Sequence, residues 1–288
     1  MRLLKCRIKN EIVLQICKNL ALAGIGALTL VDDSSCRDNL VNNFLACPRT
    51  TEKLDPLEAC VNSLRDINPM VDISHHVCNP SSFISLENVE GSSLLILVGQ
   101  SADAVNAADE ICLKAGIPLI ATCSSGFSGW AFANLHEHNY VVEIEEELKD
   151  GTYKKTSEKR ALCSSSYTET NNFMLSLKAR RKSPILPALN VVWRFEMEQG
   201  RPSNEKDVAV LQEALKGLVT AKDAAADSSL ASLVQRKQDM PAINAILGGI
   251  VANDAVKVVT CKGEPAINQL FLYSLFDGAG WVEKASNS

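Results

Sequence analysis

An α/β fold of Rossmann-like type, a mixed sheet with helices on both faces, is predicted by three observations. First, residues 241–277 couple a long apolar helix pattern to a short aromatic strand ending in Asp277, a unit that belongs to buried α/β layers. Second, residues 12–122 alternate helical and strand periodicities, which implies a parallel sheet with helical crossovers. Third, two strand signals follow one another after Trp130, as at the antiparallel side of a mixed sheet.

Each element has its own warrant. Ile12, Val13, Ile16, Cys17, Leu20 and Ala23 recur at helical spacing, Gly24 ends that helix, and residues 27–31 form a buried strand closing on Asp32 and Asp33. Leu57, Cys60, Val61, Leu64 and Ile67 mark the next helix, and residues 71–77 the next strand. Residues 94–98 form a third strand, residues 101–115 a helix stopped by Gly116, and residues 117–122 a fourth strand. Residues 130–135 and 140–146 are the consecutive strands. Residues 147–171 are polar and poorly patterned, and are expected to be a crossover or linker with little structure of its own. Helices are expected at 185–199, 205–218 and 228–238. Before the first helix, a strand is expected to be missing or reduced to residues 3–8, and residues 9–14 contain no glycine. The whole chain, 1–288, reads as one domain.

In the last helix Pro241 suits the first turn, and Ile243, Ile246, Leu247, Ile250, Val251 and Val256 follow at helical spacing, with Gly263 expected to close it. Gly248 and Gly249 within it cost on the order of 1 kcal/mol each against alanine, so something must approach the backbone closely. Two candidates stand side by side: the chain's own sheet, or a helix of a partner subunit. The second makes Ile243, Ile246, Gly248, Gly249 and Ala252 candidate partner-interface residues.

Composition narrows the function classes. A net charge of −5 offers no basic field for nucleic acid. Residues 243–259, the best candidate membrane segment, are interrupted by Asn253, Asp254 and Lys257, and the apolar stretch near the N-terminus carries Glu11, Gln15 and Lys18, so neither membrane span nor secretory signal is expected. The ten cysteines contain no CxxC pair, which argues for reduced thiols rather than a metal site, with Cys17, Cys60 and Cys112 in the core. Cys123 follows a strand but has no evident base nearby. His136 and His138 would share one face of a strand and His75 and His76 opposite faces, with no convincing third ligand for either pair. Lys154, Lys155, Lys159, Arg160, Arg180, Arg181 and Lys182 read as solvated faces rather than an import signal.

Several segments carry a resemblance. KNLALAGIGALTLVDD (18–33), DINPMVDI (66–73), WAFANLHEHNYVVE (130–143), WRFEMEQGRPS (193–203) and GGIVANDAVKVVTCKGEP (248–265) follow in the order and spacing of the Aos-type, non-catalytic subunit of SUMO-activating enzymes, from about residue 12 onward. The resemblance implies a ThiF/MoeB-type adenylation fold serving as a pseudo-adenylation domain. It also implies a heterodimer with a catalytic cysteine-bearing, Uba-type subunit that binds ATP and magnesium, adenylates the SUMO C-terminus and forms the thioester. This chain would hold no catalytic residue, metal or cofactor of its own, would meet SUMO indirectly, and would reside in the nucleus, with the cytoplasm as a second location.

Departures from that pattern matter. Asp32 takes the place of the acid that grips the nucleotide ribose in active members, and stands here as a vestigial ribose position or as the cap of the next turn. Active members carry an arginine and a glutamine before a phenylalanine; this chain has Asn42 and Asn43 before Phe44, and neutral amides lack the guanidinium's charge and fork. Without a glycine turn before the first helix, the loss of two hydrogen bonds to phosphate is expected to weaken ATP binding by about a hundredfold to ten-thousandfold. The arginine-bearing first helix and the strand after it are not recognisable, so the chain is expected to be N-terminally truncated or divergent, and to pair poorly for want of a strand to bury its first helix. The alternatives are a regulatory chain of another ubiquitin-like pathway, such as the Nedd-type, and a self-sufficient adenylating enzyme or Rossmann oxidoreductase, which would need the phosphate loop.

Overall fold

The computed structural model describes residues 2–6, 11–33, 44–45, 55–147, 153–176, 185–218, 224–235, 240–275 and 279–284. In chain order the first half runs β1 (Arg2–Cys6), α1 (Glu11–Leu22), β2 (Ala27–Asp32), α2 (Pro56–Ile67), β3 (Asp72–Val77), the short turns α3 (Pro80–Phe83) and α4 (Leu86–Val89), β4 (Leu94–Val98), α5 (Ala102–Ala115), β5 (Leu119–Ser125) and β6 (Ser128–Asn134). The second half runs β7 (Glu137–Glu147), β8 (Tyr153–Cys163), α6 (Tyr167–Ser176), α7 (Ile185–Gln199), a 3₁₀ turn (Glu205–Asp207), α8 (Val208–Lys216), α9 (Ala224–Gln235), α10 (Pro241–Thr260), β9 (Gln269–Ser274) and β10 (Ala279–Lys284).

Eight strands form one sheet in the order β10-β9-β6-β5-β4-β1-β2-β3. Strands β3 through β5 are parallel, and β6, β9 and β10 extend the sheet by antiparallel pairing. The first strand, expected to be missing or reduced to residues 3–8, is a short strand, Arg2–Cys6, and lies inside the sheet between β4 and β2. It pairs with β2 from Arg2↔Ala27 to Cys6↔Val31 and with β4 from Leu3↔Leu94 to Lys5↔Ile96. Five residues with two cations among them carry too little periodicity to read, and two neighbouring ladders supply what the composition does not. Nor does α1 want for burial, since its stripe from Ile12 to Ala21 lies inside the chain.

Alternation of side chains across the strands divides the core into two layers. On one face, Leu28, Leu30, Ile73, Leu94, Ile96, Val98 and Ile120 meet α1, α2 and α10. On the other, Leu95, Leu97, Leu119, Ala121 and Phe132 meet α5, α6, α7 and α9, where Trp193 lies between Trp130 and Tyr167 with ring centroids at 4.9 and 4.5 Å. Strand β4, LLILV, is buried at every position, which is why it reads as an unbroken apolar run.

The segment expected to be a linker, 147–171, holds β8 and the start of α6 instead. β7 does not join the main sheet as expected; it pairs with β8 over eleven positions, Glu137↔Cys163 to Glu147↔Tyr153. The departure begins at His136, whose φ of 54° turns the chain into the left-handed region. Its ring Nε2 lies 2.9 Å from the Ile117 carbonyl, and its amide donates to Asn134 Oδ1. β8 is exposed along nearly its whole length, so YKKTSEKRALC lacks the apolar alternation of a half-buried strand, and its ladder with an acidic neighbour holds it. Inside the fold, Asp109 fastens β6 and α6 to α5 by accepting from Asn134 Nδ2 and the Tyr167 amide, both at 2.8 Å; burial nevertheless pushes its carboxyl above the usual range.

α10 is apolar all round because it is covered from several sides: α1 lies along it, and β5 and β6 lie beneath. A Cβ on Gly248 would stand 2.6 Å from Gln15 Cβ and 3.4 Å from the Ile12 carbonyl and the Ile16 amide, so the glycine is demanded by α1. At Gly249 nothing lies within 4 Å. The helix closes at Cys261, which adopts φ 52°, rather than at Gly263. Buried Asp254 binds the chain that leads into β9, accepting from the Ala266 and Ile267 amides at 2.9 and 2.6 Å.

Two predictions follow from this helix. Gly248→Ala should destabilise the chain by about 1–3 kcal/mol through overpacking, whereas Gly249→Ala should be neutral or stabilise by up to about 1 kcal/mol; urea unfolding of both variants measures the contrast, and equal effects would contradict it. Asp254→Ala should lose about 2–4 kcal/mol by stranding two amides, seen as a lower urea midpoint with an unchanged m-value.

Candidate functional site

In open α/β sheets, ligands bind outside the carboxyl ends of the strands, where the chain order reverses. Here the chain moves outward from β1 through β2 to β3, then returns to β4, so the reversal lies between β1 and β4. The N-termini of α1 and α5, which follow those strands, face this edge and bring positive dipole ends and amide donors to it.

Both helix ends are supplied with carboxylates from within the chain. At α5 the Ser101 side chain makes no capping bond; the Ala102 amide donates to Glu196 Oε2 at 2.8 Å. The other oxygen of Glu196 accepts from the Ser203 amide at 2.9 Å and hydroxyl at 2.7 Å, and the residue is only 1% exposed. At α1 the first residue is Glu11, also buried, whose Oε2 accepts from Asn244 Nδ2 at 3.2 Å. Asn244 Oδ1 accepts in turn from Ser124 Oγ at the end of β5, at 2.5 Å. At the α5 N-terminus the Ala102 amide is thus already bonded within the chain. Arg7, Ile8, Lys9 and Asn10, the connection from β1 to α1, include no glycine, the residue that a phosphate-binding turn uses there.

Asp32 stands at the carboxyl end of β2, the position expected for a ribose contact, and is 2% exposed. Its Oδ1 accepts from the Asp33 amide at 2.8 Å, while its carbonyl accepts from the Cys78 amide at 3.0 Å, so its bonds fasten the exits of β2 and β3. Asn39, Asn42 and Asn43 lie outside the described residues. Phe44 is 46% exposed, with Lys18 Nζ 5.3 Å from its ring centroid.

The candidate interface residues divide. Ile243, Gly248 and Ala252 are buried in this chain's own core, so they offer no surface to a second chain. Ile246 and Gly249 are partly exposed on the same helix. The other candidates are structural. Cys17, Cys60, Cys78, Cys112, Cys123, Cys163 and Cys261 form no disulfide, and burial pushes Cys112 up to about 12, far from a reactive thiolate. His136 stands in a turn and His138 on β7, so they do not share a strand face; burial lowers the pKa of His138, which stacks on Tyr140. Among the described residues no cluster of three His, Cys, Asp or Glu could hold a metal.

Glu11, Glu196, Ser203 and Asn244 escaped the sequence reading. Glu196 and Ser203 do fall within WRFEMEQGRPS, and a glutamate between Phe195 and Met197, on the helix side that carries Val192, is the signal that could have exposed the first.

Comparison with known proteins agrees with this edge-on-sheet architecture. The chain is 28% identical to SUMO-activating enzyme subunit 1B-1 of Arabidopsis thaliana, over 96% of this chain and 86% of that protein. It is 26% identical to SUMO-activating enzyme subunit 1 of Bos taurus, over 93% and 84%, and 24% identical to that of Dictyostelium discoideum, over 96% and 84%. The ThiF family model matches residues 14–287, and the chain belongs to the ThiF family.

Proposed function

We propose that this chain is the non-catalytic subunit of a heterodimeric SUMO-activating enzyme. In this reading a second, cysteine-bearing subunit binds ATP and magnesium, adenylates the SUMO C-terminus and takes it as a thioester. The present chain supplies a folded surface that supports the partner's chemistry and performs no step on the nucleotide itself. One observation supports the division of labour: Arg7 to Asn10, the connection from β1 to α1, contains no glycine, where an adenylating Rossmann domain uses a glycine turn to bring backbone amides to phosphate. Similarity to subunits named for SUMO activation supports the choice of modifier, and nuclear residence follows from the same reading.

Two outcomes are expected. The isolated chain should give no ATP–pyrophosphate exchange above a no-enzyme control, and SUMO-dependent exchange should arise only when the cysteine-bearing subunit is added; exchange by the chain alone would favour a self-sufficient adenylyltransferase. Replacing SUMO by a Nedd-type modifier in the reconstituted pair tests the other alternative. Glu196→Ala should lower stability by about 2–4 kcal/mol, because the Ala102 and Ser203 donors lose their acceptor, yet should not confer nucleotide binding without a glycine loop. Urea unfolding and titration with a fluorescent ATP analogue check both halves.

A further inference from the structure

Apart from the main sheet, β7 and β8 form a two-stranded ribbon of eleven residue pairs, and an isolated hairpin in water is marginal unless another layer supports it. Among the described residues, backbone pairing from the rest of the chain reaches it along β7. On the outer side of β7, the Val141 amide donates to the Cys261 carbonyl at 2.9 Å, and the Gly263 amide donates to the Val141 carbonyl at 2.8 Å, so the chain after α10 pairs with it. On the outer side of β8, no strand pairs among the described residues.

The register says which groups that free edge presents. Val141 turns its amide and carbonyl away from β8, and its partner Lys159 therefore turns its own away from β7. By alternation, Tyr153, Lys155, Ser157, Lys159, Ala161 and Cys163 present the outward backbone, and all six are exposed. The edge is also charged. β8 carries Lys154, Lys155, Lys159 and Arg160 against one acid, Glu158, whereas β7 carries five glutamates, and Lys155 pairs with Glu145 at 2.7 Å. Lysines on an edge ordinarily prevent self-association, and a second copy of β8 would here be repelled. The same charge admits a strand of opposite sign, as β7 already demonstrates on the inner side.

We propose that the outer edge of β8 is a docking site for an acidic, extended segment of another protein, which adds to the ribbon as a third strand. Backbone pairing supplies the attachment, and the basic side chains select against neutral or basic segments.

The probe is a fluorescein-labelled peptide copying β7, EHNYVVEIEEE, titrated into the full chain and followed by anisotropy. Saturable binding is expected, and replacing its five glutamates by glutamine should weaken it by about tenfold. N-methylation at three alternate amides keeps the charge but blocks pairing, and should weaken binding by about a hundredfold. Ser157→Pro removes an outward amide without touching the β7 ladder, so loss of binding in a variant with an unchanged circular-dichroism spectrum places the peptide on the outer edge. No binding of the unmodified peptide at 1 mM or below, roughly the weakest affinity of interest, would overturn the proposal. Undiminished binding by the N-methylated peptide would overturn it equally, since charge alone would then account for the attraction.

Discussion

The close approach of α1 and α10 is the constraint on which the rest depends. Gly248 removes the one side chain that would hold the helices apart, and the backbone of α1 moves into the space. One turn earlier on α10, Asn244 is thereby brought to Glu11 at the start of α1 and to Ser124 at the end of β5. Three elements distant in sequence meet at the carboxyl edge because one position lacks a Cβ. With Asn244 fully buried, its amide has no water to fall back on, so the polar contacts are obligatory once the helices have closed.

The same edge shows how a helix N-terminus is satisfied from within the chain. A helix N-terminus attracts negative charge, and whatever supplies it gains from the dipole and from unsatisfied amides. In a nucleotide-binding domain the supplier is a phosphate. Here Glu196 comes from α7, reaches across to the α5 N-terminus, and also holds Ser203 at the turn beyond its own helix. The anion at the α5 N-terminus is here a side chain of the fold itself, and it works as a packing element.

Legibility in the sequence followed how burial was distributed. β4 and β5 were readable because both faces are covered, and α7 was readable to its ends because Leu189, Val192 and Trp193 keep one stripe inside. β1 was not, since its stability comes from two neighbouring ladders rather than from composition, and β8 was not, since solvent surrounds it. Gly248 and Gly249 are alike in sequence, and only three-dimensional packing separates a glycine pressed against a backbone from one facing open space. Ile67 fitted the helical stripe yet ends half outside the core, because the helix stops there and Asn68 turns to bind the Ala21 carbonyl. Glu196 was hidden for a different reason: its partners lie ninety-four residues back along the chain at Ala102 and seven ahead at Ser203, and periodicity carries no such information.

α10 ties these observations together. Its N-terminal turn carries Asn244 toward the carboxyl edge of the sheet, and the residues capping its far end, Cys261 to Gly263, pair with Val141 at the root of the β7–β8 ribbon. A twenty-residue helix spans about 30 Å. Its middle is held by the α1 contact at Gly248 and its latter half by Asp254, so neither end can shift without disturbing a packed or hydrogen-bonded group. The ribbon is consequently not a loose appendage: the helix that reaches the carboxyl edge of the sheet also fixes where the ribbon emerges. The chain thus presents a strand edge at a defined position, with the rigidity of its own core helix.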